Sequence, residues 1–174
     1  MAIYEIGGKK PLIKEGTWVA PSAQIIGDVT IGKDCYIGFG AIIRGDFGPI
    51  IIGNKTLIEE NVVIHTGTRV TIGNRVIIGH LAMIHDAVIQ DNCLIGMKSM
   101  ICDNAVIHKN SILAEQSLVR KNQVIPEGKI CAGTPAVPLK NVESHHREQF
   151  DTGLNKYMEL IKQYNTSFKK IQEP

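Results

Sequence analysis

Isoleucine returns every sixth residue along most of this chain. The hexads "IGKDCY", "IGFGAI", "IGNKTL", "IGNRVI", "IGHLAM", "IGMKSM" and "ICDNAV" carry the pattern, with glycine or a polar residue usually following the leader. The leaders read Ile26, Ile31, Ile37, Ile43, Ile52, Ile58, Ile64, Ile72, Ile78, Ile84, Ile89, Ile95, Ile101, Ile107, Leu113, Val119 and Ile125. Most steps are six; two are five, the step from Ile43 to Ile52 is nine and that from Ile64 to Ile72 is eight. A period of six suits neither an amphipathic helix nor a hairpin sheet with a turn every 8–12 residues. It suits a parallel β-helix, in which a short strand, a corner and a strand on the next face repeat. Three hexads close a coil, leaders point inward and stack, and coils lie roughly 4.7–4.9 Å apart.

The pattern resembles the left-handed β-helix of hexapeptide-repeat proteins. The expected fold is an all-β solenoid, a left-handed parallel β-helix over residues 19–136, with residues 1–18 as a lead-in strand or cap. Residues 137–174 are expected to form a linker and a C-terminal amphipathic helix. "GTPAVPLK" breaks the repeat with two prolines, and Phe150, Leu154, Tyr157, Met158, Ile161 and Tyr164 then mark one helical stripe. That stripe is expected to pack along the β-helix or a neighbouring subunit. Many acyltransferases share the repeat, so fold alone leaves function open.

Composition narrows the partners. Nineteen Lys and Arg against seventeen Asp and Glu leave no electrostatic case for nucleic acid or an acidic membrane. Aromatics at 5% give little for base stacking. No apolar run reaches the roughly 18 residues of a transmembrane helix, and "MAIYEIGGKKPLIKEG" lacks the form of a signal peptide. Cys35, Cys93, Cys102 and Cys131 contain no CxxC pair, so reduced thiols in a cytoplasmic protein are expected.

Face counting separates the histidines. The residues after every third leader form one corner column: Arg44, His65, His85, Cys102 and Arg120. The twenty residues from Ile64 to Ile84 make one 18-residue coil plus a two-residue bulge near "TGTR". His65 and His85 then stack one coil apart, roughly 5 Å, close enough to share an ion at Zn–N of about 2.0–2.1 Å. His80 falls near a different edge, so within one chain it does not belong to that pair. In a threefold trimer of parallel prisms, His80 of the next chain can complete the set. His108, His145 and His146 read as ordinary surface residues, and Cys102, a coil beyond His85, as a small corner residue.

The segments "AIIRGDFGPIIIG", "NVVIH", "IGHLAMIHD" and "AGTPAVPL" followed by a helix resemble the γ-class carbonic anhydrase-like proteins over essentially the whole chain. The likeness is to the compact branch that includes the phenylacetate-operon protein PaaY and the carnitine-operon protein CaiE. It implies a homotrimer with Zn2+, or Fe2+ or Co2+, held by His65, His80 and His85, with His80 from the neighbouring subunit. It implies an interface ion pair of Arg44 and Asp46 beside the ion, with Arg44 placed to orient bicarbonate or a carboxylate. The family usually carries glutamine where this chain has Glu59, and often asparagine where it has Leu57; its long acidic loop is absent, since only "TGTRVT" follows His65.

The expected function is a zinc-dependent lyase of the carbonic anhydrase type, hydrating CO2 to bicarbonate, with Glu59 as a base or solvent-orienting group. The same ion could instead serve hydrolysis of a CoA thioester, as the PaaY likeness implies. A hexapeptide acyltransferase and a non-enzymatic metal-binding trimer are the remaining alternatives.

Overall fold

The computed structural model describes residues 2–171, and they form a left-handed parallel β-helix of about seven turns with one C-terminal helix. Three columns of inward side chains hold it together. On the first face Ile25, Ile43, Ile64, Ile84, Ile101 and Val119 stack in parallel register. On the second, Val19, Ile37, Ile58, Ile78, Ile95, Leu113 and Cys131 do so. On the third, Ile13, Ile31, Ile52, Ile72, Ile89, Ile107 and Ile125 complete the triangle. Burying each such side chain is worth about 1.5–3 kcal/mol, and shape-matched isoleucines stacked on isoleucines leave little void.

One leader read from the sequence is displaced. Ile25, not Ile26, is fully buried, and Ile26 sits opposite Arg44 at the foot of the corner column. Two adjacent isoleucines make the period ambiguous there. With Ile25 as leader, the steps from Ile25 through Ile31 and Ile37 to Ile43 are all six.

The corners explain the polar residues of each hexad. Asn61, Asn92, Asn104, Asn110 and Asn122 all take φ between 58° and 62°. Asparagine tolerates this left-handed conformation better than most residues. Leu81 takes it too, at φ 63°, although leucine pays roughly 1–2 kcal/mol there.

Both chain ends contribute strands to the sheets. Ala2–Tyr4 pairs with the strand Gln24–Ile31, and Trp18–Val19 pairs with Tyr36–Ile37, so the first residues already contribute coil strands. Ala136–Asn141 folds back antiparallel on Lys129–Gly133. It covers the last parallel edge, and its Pro138 is tolerated because that strand is itself an edge.

Helix α1 (Ser144–Ser167) lies on the second face and buries Phe150, Leu154 and Ile161, with Tyr157, Met158 and Tyr164 packed against the core. Trp18 stacks on Tyr36 at 5.2 Å between ring centroids and meets Tyr164 at 4.4 Å. Arg147 donates to the carbonyls of Asn92 and Asn110 in successive coils, pinning the start of the helix. Among the described residues no helix is long and apolar enough to cross a membrane.

Candidate metal centre

The long strand Ile42–Ile52 bends round the corner between the first and third faces and carries Arg44, Asp46 and Phe47. His65 ends the strand Val63–His65 and His85 ends Met83–His85. Parallel pairing sets Arg44 beside His65 and His65 beside His85 in exact coil order. The two imidazole centroids lie 5.2 Å apart, tilted by 51°.

Each ring has a carboxylate partner. Nε2 of His65 lies 3.0 Å from Oδ1 of Asp46, and Nδ1 of His85 lies 2.7 Å from Oδ1 of Asp103. Arg44 is paired to the other oxygen of Asp46. Burial alone would raise the Asp46 carboxyl, but His65, the adjacent backbone N–H and Arg44 together hold it below the usual carboxylate range. Phe47 packs edge-on to His65 at 5.9 Å.

Asp86, next to His85, has a separate task. Its Oδ1 accepts the Thr66 hydroxyl at 2.6 Å and the backbone N–H groups of Gly67, Thr68 and Arg69 at 2.9, 2.8 and 3.2 Å. Burial acts to raise its pKa, and these donors overcome that and lower it. The insertion after His65 is thus a clamped short loop.

His80 stands at the other corner, between the second and first faces. Its Nε2 is 3.1 Å from Oε2 of Glu59, and its Nδ1 is 2.7 Å from Oε2 of Glu60. Glu60 also accepts the Tyr36 hydroxyl at 2.6 Å, and Glu59 accepts the His80 backbone N–H at 3.2 Å with Tyr157 of α1 nearby. Glu59 is only 8% exposed, and burial pushes its carboxyl up against the opposing pull of His80 and Tyr157.

One chain therefore brings together Arg44, Asp46, His65 and His85, and brings Glu59 to His80 at a separate corner. Among the described residues, the groups whose ligand atoms lie within 4.8 Å of one another are His85–Asp86–Asp103 and Glu143–His145–His146. His65, His80 and His85 are not such a group within one chain. The carboxylate partners Asp103 and Glu60 escaped the sequence reading. The corner count that placed His65 on His85 also places Asp103 one coil beyond Asp86, but it leaves open which way the side chain turns. His108 contacts Gln90 through Nδ1 at 3.2 Å, and His146 accepts the Glu143 backbone N–H at the start of α1.

A divalent metal ion fits the donor set. His65 and His85 each have one ring nitrogen engaged by a carboxylate, and among the described residues the other nitrogen of each has no hydrogen-bond partner. Such carboxylate–histidine pairs commonly orient imidazoles for a metal.

Comparisons with known proteins bear on the family and the fold. The family model "Bacterial transferase hexapeptide (six repeats)" matches residues 10–45 and 86–121, and "Hexapeptide repeat of succinyl-transferase" matches residues 28–66. The mitochondrial gamma carbonic anhydrase 2 of Arabidopsis thaliana is 32% identical over 98% of this chain, which spans 66% of that protein's length. The carnitine operon protein CaiE of Escherichia coli O157:H7 is 33% identical over 99% of this chain and 89% of its own. A solved hexapeptide transferase family protein from Anaplasma phagocytophilum superposes with TM-score 0.90 at 33% identity, covering 94% of this chain and 98% of that one.

Proposed function

Because the chain belongs to the γ-class carbonic anhydrase-like hexapeptide-repeat family, we propose that it is a metal-dependent enzyme hydrating CO2 to bicarbonate. The observation that carries this reading is the in-register pair His65 and His85, each backed by a carboxylate and each with a second nitrogen left for an ion. A divalent ion, Zn2+ in the first instance and Fe2+ or Co2+ as alternatives, supplies a Lewis acid that makes water a nucleophile near neutral pH.

His80 reaches the ion from a second chain in this proposal. The first face runs between the His80 corner and the His65–His85 corner. Its outward residues are apolar: Met83 is 38% exposed and Met100 45%, flanked by Ile42, Val63 and Leu118. Turning that stripe toward a threefold axis removes it from water. The same rotation sets the His65–His85 corner of one prism against the His80 corner of the next, and closed symmetry repeats the contact three times.

The protein's own groups then divide the work. His80 would hold the ion through Nε2, which now meets Glu59, with Nδ1 kept on Glu60. Glu59, freed from His80, would be placed to accept a proton from the reacting water or to orient it, and its upward-shifted pKa suits a proton acceptor. Arg44, 41% exposed beside Asp46, is placed to hold the bicarbonate anion. We place the protein in the cytoplasm, a compartment suited to its four free cysteines.

A second reading keeps the ion and takes a CoA thioester as substrate. It is favoured by the ionisable Glu59 and by the short loop Thr66–Arg69, which carries no acidic relay. One experiment addresses both. Protein purified without oxygen is analysed for metal and oligomeric state, then assayed for CO2 hydration and aryl-CoA hydrolysis with and without chelator. A metal-loaded trimer with chelator-sensitive hydration is expected. A metal-free trimer, or full metal content in His80→Ala, overturns the proposal; thioester turnover alone selects the second reading; metal without either turnover selects a binding protein.

A further inference from the structure

Two carboxylates approach Nδ1 of His85, and they are not equivalent. Asp103 Oδ1 is at 2.7 Å, whereas Asp86 Oδ2 is at 3.8 Å, beyond hydrogen-bond distance. Asp86 is committed through its other oxygen to the Thr66–Arg69 loop. Asp103 comes from the next coil, in the corner after the strand Met100–Ile101, and its side chain is 44% exposed.

We propose that Asp103 is a positioning residue for the metal centre. It accepts the Nδ1 proton of His85, which holds the imidazole in the Nδ1–H tautomer and leaves the Nε2 lone pair free for an ion. Free imidazole side chains exchange between tautomers, and the hydrogen bond made by one nitrogen decides which proton position persists. The arrangement also fixes the ring's rotation, because the acceptor lies a full coil away on a rigid stack. Asp86 holds the loop and leaves the tautomer to Asp103. The inference rests on His85 as a metal ligand, the reading given above.

The test uses the full-length protein and two readouts. The first is nitrogen NMR of the metal-free protein in the alkaline range, where imidazole is uncharged. His85 is expected in the Nδ1–H form in the wild type and in Asp103→Asn, whose amide oxygen still accepts, and as a tautomer mixture in Asp103→Ala. The second is zinc affinity from competition with a chromophoric chelator, with the cobalt-loaded absorption spectrum alongside. Asp103→Ala is expected to bind about 10–100-fold more weakly, Asp103→Asn to recover most of that loss, and the metal-free unfolding midpoint to stay the same.

Nδ1–H tautomer loss with weakened metal in Asp103→Ala supports the proposal. A wild-type His85 in the Nε2–H form, or unweakened metal binding in Asp103→Ala, overturns it while leaving the metal centre standing. A wild type with no metal affinity, or His85→Ala with undiminished affinity, overturns the metal reading itself.

Discussion

His65 and His85 are twenty residues apart in sequence and one coil apart in space, with ring centroids separated by 5.2 Å. His80, only five residues before His85, is at another corner and is held by Glu59 and Glu60. In the proposed trimer such a site is divided between subunits. His80→Ala and His85→Ala are each expected to abolish metal retention. Mixing the two variants in equal amounts and reassembling them should restore about a quarter of the sites, because one interface in four then pairs an intact His65–His85 corner with an intact His80. Metal content of the mixed trimers checks this; no recovery argues that His80 serves its own chain.

The stacked core sets a second expectation. Ile64 is fully buried, flanked in its column by Ile43 and Ile84, and precedes His65 directly. Ile64→Ala should cost about 2–5 kcal/mol, since neighbouring coils cannot collapse into the space. Denaturant unfolding gives the number. Ile26→Ala, at a partly exposed corner, should cost much less. That contrast tests which of the paired isoleucines leads the hexad.

Leu81 offers a third. It holds φ at 63° and is 51% exposed, immediately after His80. The preceding coil uses asparagine at the equivalent corner, Asn61, with φ 58°. Leu81→Asn should relieve left-handed strain and raise the stability of the isolated chain by about 1 kcal/mol. The same variant should weaken trimer assembly if Leu81 contributes apolar area to the neighbouring corner. Thermal unfolding and sedimentation separate the two effects; loss of stability in the monomer would rule out the strain argument.

Much of this was legible from period alone. Hexad spacing gives the faces, and three hexads per coil give the Arg44–His65–His85 column. The choice between Ile25 and Ile26 was not, because both residues satisfy an apolar six-residue rule and only the corner geometry separates them. The edge strand Ala136–Asn141 was hidden by its prolines, which read as a break, although an edge tolerates Pro138. Asp103 and Glu60 were hidden for a different reason. Acidic residues are common at solvated corners, and their pairing with His85 and His80 depends on side-chain direction across coils, which composition and spacing leave open.

The last prediction concerns Cys93, which is fully buried and donates to the His108 carbonyl at 3.1 Å. Burial pushes its thiol up to about 11 from 9.0. At pH 8 roughly one molecule in a thousand carries the thiolate, so alkylation of the native protein should be very slow there. Cys102, less buried at its corner, should react first in the dissociated chain and more slowly in a trimer that covers it. The shift also predicts the sign of a stability change. Between the unfolded value and about 11 the folded state retains a proton that the unfolded state has lost, so stability is unaffected below pH 9 and falls as pH rises through that window. The loss should be about 3 kcal/mol when complete. Denaturant unfolding between pH 8 and 11 measures it, with Cys93→Ala as the reference whose slope over that window should flatten. Equal slopes in the two proteins would assign the alkaline loss to other groups.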